Sequence, residues 1–568
     1  TPLRYGVVTA VLAWVSLLPL WFIVVFGRAE VVAGDLPVPP DLRVAIVVTK
    51  APSEPFDVVR RTLEGALAQE GVVHDTWLAD EDPDPQTIDW CRTHGVSVST
   101  RKDRPDYHRT DWPRRTRCKE GNLAYFYDTY GYARYDVVSQ FDADHVPRPD
   151  YLRHVVGIFA DPEVGYVSAP SICDSNRRES WAARGRLFVE ASMHGALQCG
   201  YNAGLAPLCI GSHYTVRTRA LQAIGGLGPE LAEDHSTTLI FNSRGWKGVH
   251  AVDAIAHGEG PETFAALVVQ EFQWSRSLVT ILLRYSPIYV PSLSPAKKFQ
   301  FLFSECWYPM FSGAMALMYL LPIVGLLSGE RFVAVDYVDF FIRSLPFDLA
   351  MLVLAYWWRS TGLFRPADAP IVSWEGTAFL LLRWPWSLIG SLTAVVDHLT
   401  GRHVDFRVTP KGRAPTTALP IRIVAPYLVL AAGAATTALL VRDPGSAAGF
   451  YFFNLVDAVL YVGLTVFVVV RHILDNRIGF DRIGRETLVA STSVIAIVAI
   501  IVGAAFVNGA KGLQAMNVGI DAFTLTESVS PVAGAGQRGD TVIRVRPKWH
   551  GFLPGNARER ETRGEEEQ

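Results

Sequence analysis

Cysteine is scarce: there are six in 568 residues, all between Cys91 and Cys306, and none forms a Cys-x-x-Cys pair. That usage points to neither a zinc site nor a disulfide framework. Lysine is scarce too, nine among the 53 basic residues, and 56 acidic residues leave a formal net charge of only −3. Without a basic excess there is no electrostatic footprint for nucleic acid, which is not an expected partner. Charged residues make up 19% of the chain and hydrophobic ones 49%, with a mean hydropathy of +0.18. That is too apolar for one soluble domain and too charged for a pure membrane bundle, so a mixed protein is expected. The chain starts at Thr1 rather than Met, which is compatible with further residues upstream.

What is abundant is long apolar runs. Residues 7–26 are uncharged and long enough to span a bilayer; a signal peptide is the alternative, but no small-residue cleavage site is evident. A Pro-rich linker, Gly34 to Pro40, follows. Further spans are expected at about 307–327, 336–358, 420–441, 451–471 and 488–507. Segment 374–399 carries Glu375, Arg383, Asp397 and the pair Trp384 and Trp386, and reads as an amphipathic interfacial helix. Basic residues cluster at Arg402, Arg407, Lys411, Arg413 and Arg422, and again at Arg471, Arg477, Arg482 and Arg485. The positive-inside rule places both loops in the cytosol. The N-terminus is then outside, and six spans put the C-terminus outside as well. The Gly-, Arg- and Glu-rich tail, from Ser528 onward, is expected to be disordered.

Between the first span and the others the texture is α/β. RVAIVVTK, from Arg43, reads as a buried parallel strand, followed by a helix from Ser53 to Gln69. Strands are also expected at HDTWLAD ending in Asp80, at Gly95 to Arg101, and at Asp136 to Phe141. This βαβ rhythm predicts a Rossmann-like nucleotide fold, ending near residue 260.

The chemistry collects at strand ends. In FDADH, Asp142 and Asp144 alternate after a buried strand, so both can face one point. Paired carboxylates at the carboxyl end of a strand make a hard oxygen site suited to Mg²⁺ or Mn²⁺ with a diphosphate; a polar turn with Asp caps is the plainer reading. Asp80, at another strand end, can bind a base or ribose, or cap a helix. Lys119, in CKEGN, suits phosphate or base contact at a Gly-containing turn, or simply a solvated surface. Glu233 and Asp234 open a helix; there they either cap it or let Asp234 deprotonate an attacking hydroxyl. On a helix expected from Pro261 to Arg284, Gln270, Gln273 and Trp274 share one face. That face is either a sugar platform, with an indole to stack on a ring, or a membrane interface. In FRVTPK, Phe406, Thr409 and Lys411 offer an aromatic ring, a hydroxyl and an ammonium.

Together these motifs resemble the processive family-2 glycosyltransferases, above all bacterial cellulose synthases. The resemblance covers roughly residues 5–510. It rests on SEPFDVVRRT, Asp80, KEGN, DADH, GS at 211–212, ED with SRGW, PETF, QEFQW and FRVTPK, in family order. It implies an α/β Rossmann-like (GT-A type) cytosolic glycosyltransferase domain inserted in an α-helical transmembrane bundle. It further implies a UDP-glucose donor, Mg²⁺ or Mn²⁺, inversion at the anomeric carbon, and a growing β-glucan as acceptor, led out through the same chain's membrane helices. By the resemblance, Asp80, Lys119 and Asp142 hold the nucleotide, Asp144 with Asp142 the metal, and Asp234 is the base. Gln270, Gln273 and Trp274, with Glu233, cradle the acceptor, and Phe406, Thr409 and Lys411 form a gating loop. The setting implied is a bacterial inner membrane, with export partners receiving the chain. A non-processive transferase acting on a lipid carrier is the alternative.

The expected organisation is 1–40 span and linker, 41–260 catalytic domain, 261–306 interfacial helices with QEFQW, and 307–358 spans. It continues with 359–415 interfacial helix and gating loop, 416–510 spans and 511–568 tail. Three departures stand out: Gln273 where the family has Arg, Ala232 where it has Thr, and Glu81 where it has a second Asp. We expect Arg276, three residues on and about 60° around the helix, either to supply the missing charge to the donor diphosphate or to meet lipid head groups or cap the helix face.

Overall fold

Seven consecutive buried residues, Val44–Lys50, form strand β1. Its side chains alternate between two cores. Val44, Ile46 and Val48 pack with Val59, Leu63 and Ala66 of helix α1 (Phe56–Leu67), while Ala45 and Val47 pack with Leu123 and Phe126 of helix α2 (Lys119–Phe126). A strand covered on both faces has no polar side to show, which is why its sequence reads as a continuous apolar run. The computed structural model describes residues 2–329, 337–401, 419–444, 447–479, 484–517, 523–531 and 541–549.

Among the described residues the central sheet has seven strands. In addition to β1 these are β2 (His74–Asp80), β3 (Ser97–Ser99), β4 (Val137–Phe141), β5 (Val164–Ser168), β6 (His213–Arg217) and β7 (Lys247–His250). They lie in the order β3-β2-β1-β4-β6-β5-β7. The first four run parallel, β6 runs antiparallel to both β4 and β5, and β7 is parallel to β5. The four strands expected from the sequence are present, as half of a larger, mixed sheet. A second, three-stranded sheet joins Val146–Pro147, Ala256–His257 and Ser171–Ile172 beside the end of β4.

Long helices precede and follow this α/β unit in the chain. Among the described residues, six are long and apolar enough to cross a membrane: Gly6–Phe26, Pro295–Ser328, Trp374–Thr400, Ile421–Leu440, Ala448–Asp475 and Arg485–Gly512. A further helix, Tyr337–Ser360, covers the span expected at 336–358. The chain is a membrane protein carrying a Rossmann-like domain.

Two expectations change. Helix Trp374–Thr400, expected to lie at the interface, meets the length and apolarity of a span, and half of its most apolar window is buried inside the protein. The charges that made it look interfacial turn inward. Glu375 binds Arg184 (2.9 Å), Arg383 binds Glu271 (2.8 Å), and Asp397 binds Arg276 (2.8 Å). In the tail, helix Arg485–Asn517 outruns the expected span end, and Phe523–Pro531 pairs antiparallel with Thr541–Trp549. The second of these strands is rich in Val, Ile and Thr, residues that favour pleated structure over disorder. The FRVTPK segment, with Phe406, Thr409 and Lys411, lies outside the described residues.

The Arg383–Glu271 pair is enclosed. Glu271 is fully buried, and Arg383 also lies over the Phe379 ring at 4.7 Å. Arg383→Met strands the Glu271 charge and is expected to cost ~3–5 kcal/mol, read as a lower thermal midpoint of the purified protein in detergent. Adding Glu271→Gln should recover most of the loss. An unshifted midpoint in the single variant would show that the pair does not clamp these helices.

Candidate functional site

The site grows from the end of β4. Antiparallel pairing with β6 sets Phe141 opposite His213, so the next residue, Asp142, meets Ser212 and donates its N–H to the Ser212 carbonyl (2.8 Å). Lys119, the first residue of α2, bridges the same two segments. Its Nζ donates to Asp142 Oδ1 at 2.7 Å and to the Gly211 carbonyl at 2.5 Å. The KEGN glycine has a structural reason: a Cβ on Gly121 would collide with the Arg115 carbonyl and the Arg101 guanidinium. Arg101 is itself fully buried and ion-paired to Glu81, the residue that departs from the family's second Asp.

Asp144 is buried and aimed. Its Oδ2 accepts the Glu259 N–H (3.2 Å), and its Oδ1 lies 3.1 Å from His145 Nδ1. Donor atoms of Asp142, Asp144 and His145 all fall within 4.8 Å of one another. The two ring nitrogens of His145 are engaged, one by Asp144 and the other by Ser171 Oγ at 3.1 Å. Burial works against a charge on this ring, yet the adjoining Asp144 carboxylate carries its pKa up to about 10. His145 therefore orients Asp144 rather than lending a lone pair. The remaining donors are two carboxylates, a hard oxygen set that fits a divalent cation.

At the end of β2, Asp80 is fully buried. Parallel register sets it beside Lys50, whose Nζ lies 3.2 Å from Oδ1 and 3.1 Å from Oδ2. Burial raises the Asp80 pKa, and Lys50 only partly offsets this. The Asp80 ring of contacts thus includes a cation that the sequence reading did not single out.

Glu233 and Asp234 open helix α3 (Glu233–Ser243). Burial, then the neighbouring Asp234, push Glu233 up to about 8; burial raises Asp234 as well, against the His235 N–H that bonds its Oδ1 at 2.8 Å. The Glu233 proton is therefore kept at neutral pH. A Cβ on Gly211 would stand 3.2 Å from Asp234 Oδ2. Gly211 thus borders Asp234 on one side and takes Lys119 on its carbonyl, joining the candidate base to the carboxylate cluster.

Helix α4 (Phe264–Arg284), capped by Thr263, carries Gln270, Gln273 and Trp274 as expected. Arg276 is not available to the diphosphate. Its Nε and Nη2 both bind Asp397, so its reach is spent on the helix Trp374–Thr400. The cation that does meet this face is Arg186, on helix Trp181–Glu190. It donates Nη1 to Gln270 Oε1 (3.2 Å) and stands 4.5 Å from the Trp274 ring centroid. Arg186, Lys50 and His145 are the residues the sequence reading passed over. Lys50, a lone cation ending an apolar strand, was a visible signal. Arg186 had none, because its helix bears no motif.

These features make an acidic site suited to a divalent cation at the strand ends of a Rossmann-like α/β fold. A family profile described as Glycosyl transferase family 21 matches residues 116–324. Among curated relatives, a putative cellulose synthase 2 of Komagataeibacter xylinus is 25% identical over 211 residues, covering 36% of this chain and 14% of the relative. The cellulose synthase catalytic subunit (UDP-forming) of Pseudomonas fluorescens is 25% identical over 356 residues, 61% of this chain and 44% of that one. The chain spans about a seventh of the length of the first such relatives. A mannosyltransferase from Pyrobaculum calidifontis, solved with GDP-Man and Mn²⁺, superposes with a TM-score of 0.45 at 14% identity, over 70% of this chain and 100% of that one. By its motif set and by these comparisons the chain is similar to cellulose synthase-like family-2 glycosyltransferases.

Asp144→Asn should abolish Mn²⁺ binding, followed by electron paramagnetic resonance of the free ion. His145→Ala should weaken it ~10–100-fold, as loss of an orienting partner does. Unchanged affinity in His145→Ala would remove His145 from the site.

Proposed function

We propose that this protein transfers glucose from UDP-glucose to the end of a growing β-glucan and passes the polymer through its own membrane helices. The observation that carries this reading is the pairing of two oppositely employed acidic centres across Gly211. Asp142 and Asp144 stand with Lys119 on one side, and Asp234 stands on the other. The curated relatives named UDP-forming cellulose synthases support the donor and the product class. The clustered Arg and Lys residues of the 402–422 and 471–485 loops support a cytosolic catalytic domain in a bacterial inner membrane.

In this reading Asp80 and Lys119 hold the nucleotide, and Asp142 and Asp144 hold Mg²⁺ or Mn²⁺. When bound, such a cation stabilises negative charge on the departing diphosphate. Asp234 accepts the proton of the acceptor hydroxyl as that oxygen bonds to the anomeric carbon. The bond to the diphosphate oxygen breaks with its electron pair, and UDP leaves. One displacement from the face opposite the leaving group inverts the anomeric centre. Gln270, Gln273 and Trp274 hold the acceptor.

Incubation of the purified protein with radiolabelled UDP-glucose, followed by linkage-specific glucanases, tests the reaction. A glucanase-sensitive polymer is expected; a short glycolipid product would favour transfer to a lipid carrier instead. Asp144→Asn should lose both transfer and metal-dependent UDP binding. Asp234→Asn should lose at least ~10²-fold in rate while calorimetry shows UDP still bound; lost binding would sink the base assignment. With Glu233 protonated at neutral pH, Glu233→Gln removes no charge beside Asp234, and the acidic limb of the pH–rate profile should stay in place. A limb that moves to lower pH would show that Glu233 is charged there and shares the titration.

A further inference from the structure

A cation from another element, Arg186, meets the glutamine–tryptophan face of α4. Arg186 is held on three sides. Its Nε donates to both Glu190 oxygens (3.1 and 3.0 Å), its Nη1 to Gln270 Oε1 (3.2 Å), and its guanidinium covers the Trp274 ring at 4.5 Å. Arg186 thus ties helix Trp181–Glu190 to the Gln270–Trp274 face of α4. The side chain keeps 13% of its surface open, and Nη2 has no hydrogen-bond partner among the described residues. A guanidinium anchored through Nε and Nη1 has lost its rotamer freedom already, so its remaining N–H groups are a prepositioned donor fork.

We propose that Arg186 is an acceptor-binding residue: its Nη2 donates to hydroxyl oxygens of the terminal acceptor sugar, over an indole whose one face it occupies. This rests on the glucan-synthase reading above and adds to it a residue from outside the α4 motif. Hydroxyl-rich, uncharged sugars suit it, because the Glu190 carboxylate already balances its charge, the guanidinium holding the Glu190 pKa down to about 2 against burial. The Trp274 face beneath Arg186 is then not a bare stacking surface, and the sugar meets the edge of an Arg–Trp pair.

The test compares transfer of glucose from UDP-glucose to cellotetraose or laminaritetraose with hydrolysis of the same donor by water, using the full chain in nanodiscs. A charged hydrogen bond lost only with the sugar acceptor should lower the transfer-to-hydrolysis ratio of Arg186→Ala at least ~10-fold, with the tetrasaccharide KM raised by a similar factor. Arg186→Lys, which keeps a donor, should fall between the two. A role confined to tying the two helices together would lower the thermal midpoint and leave that ratio where it was. A folded Arg186→Ala with the wild-type ratio and KM overturns the proposal. Should that variant not fold, a wild-type ratio in Arg186→Lys overturns it, and a lowered one upholds it. Absence of transfer by the wild-type protein to either tetrasaccharide or to its own product would instead defeat the glucan-synthase reading, and this proposal with it.

Discussion

The pairing of β4 with β6 is the constraint on which the site depends. Because the two strands run antiparallel with Phe141 opposite His213, the first residue past β4 meets the residue just before β6. Asp142 is thereby brought to Ser212, and Lys119 closes the contact by bonding Asp142 and the Gly211 carbonyl together. A slip of one residue would turn every side chain of β4 to its other face and carry Asp142 and Asp144 with it. The complementary packing of Val44, Ile46 and Val48 against one core, and of Ala45 and Val47 against the other, resists such a slip in the neighbouring strand. Glycine at 211 is part of the same device, since a side chain there would press on Asp234.

A second set of interactions ties this site to the membrane helices. Glu375, Arg383 and Asp397 of one long helix bind Arg184, Glu271 and Arg276, two of them on α4 and one on the helix that bears Arg186. Buried ions are tolerated because each has a partner, and removing one partner is costly. Helix α4 is thus anchored by charges to the long helix Trp374–Thr400, and its Gln270–Trp274 face is met by Arg186.

Much of this was legible in the amino-acid order. The continuous apolar runs of β1 and β4 announced strands covered on both faces, and the βαβ spacing announced the parallel half of the sheet. Asp142, Asp144, Asp80, Lys119 and Asp234 were readable because each sits at a strand end or helix start, where local structure alone aims a side chain. The antiparallel half of the sheet was missed. β5, β6 and β7 are short, and their pairing joins residues far apart in the chain.

Local pattern, then, determined the class of fold, the apolar helices and the acidic residues of the site, because those follow from periodicity and from what a strand or helix end does to its next residue. Tertiary structure alone decided which cation goes where. Arg276 shares the α4 helix with Trp274, and the expectation of a charge there followed from 3.6 residues per turn. Its guanidinium is nonetheless taken by Asp397, more than a hundred residues away in sequence, while Arg186, nearly ninety residues before Trp274, lies on the indole. A long, flexible cation pairs with whichever carboxylate or ring the folded chain brings within reach, and that proximity is a property of packing, which no local pattern encodes.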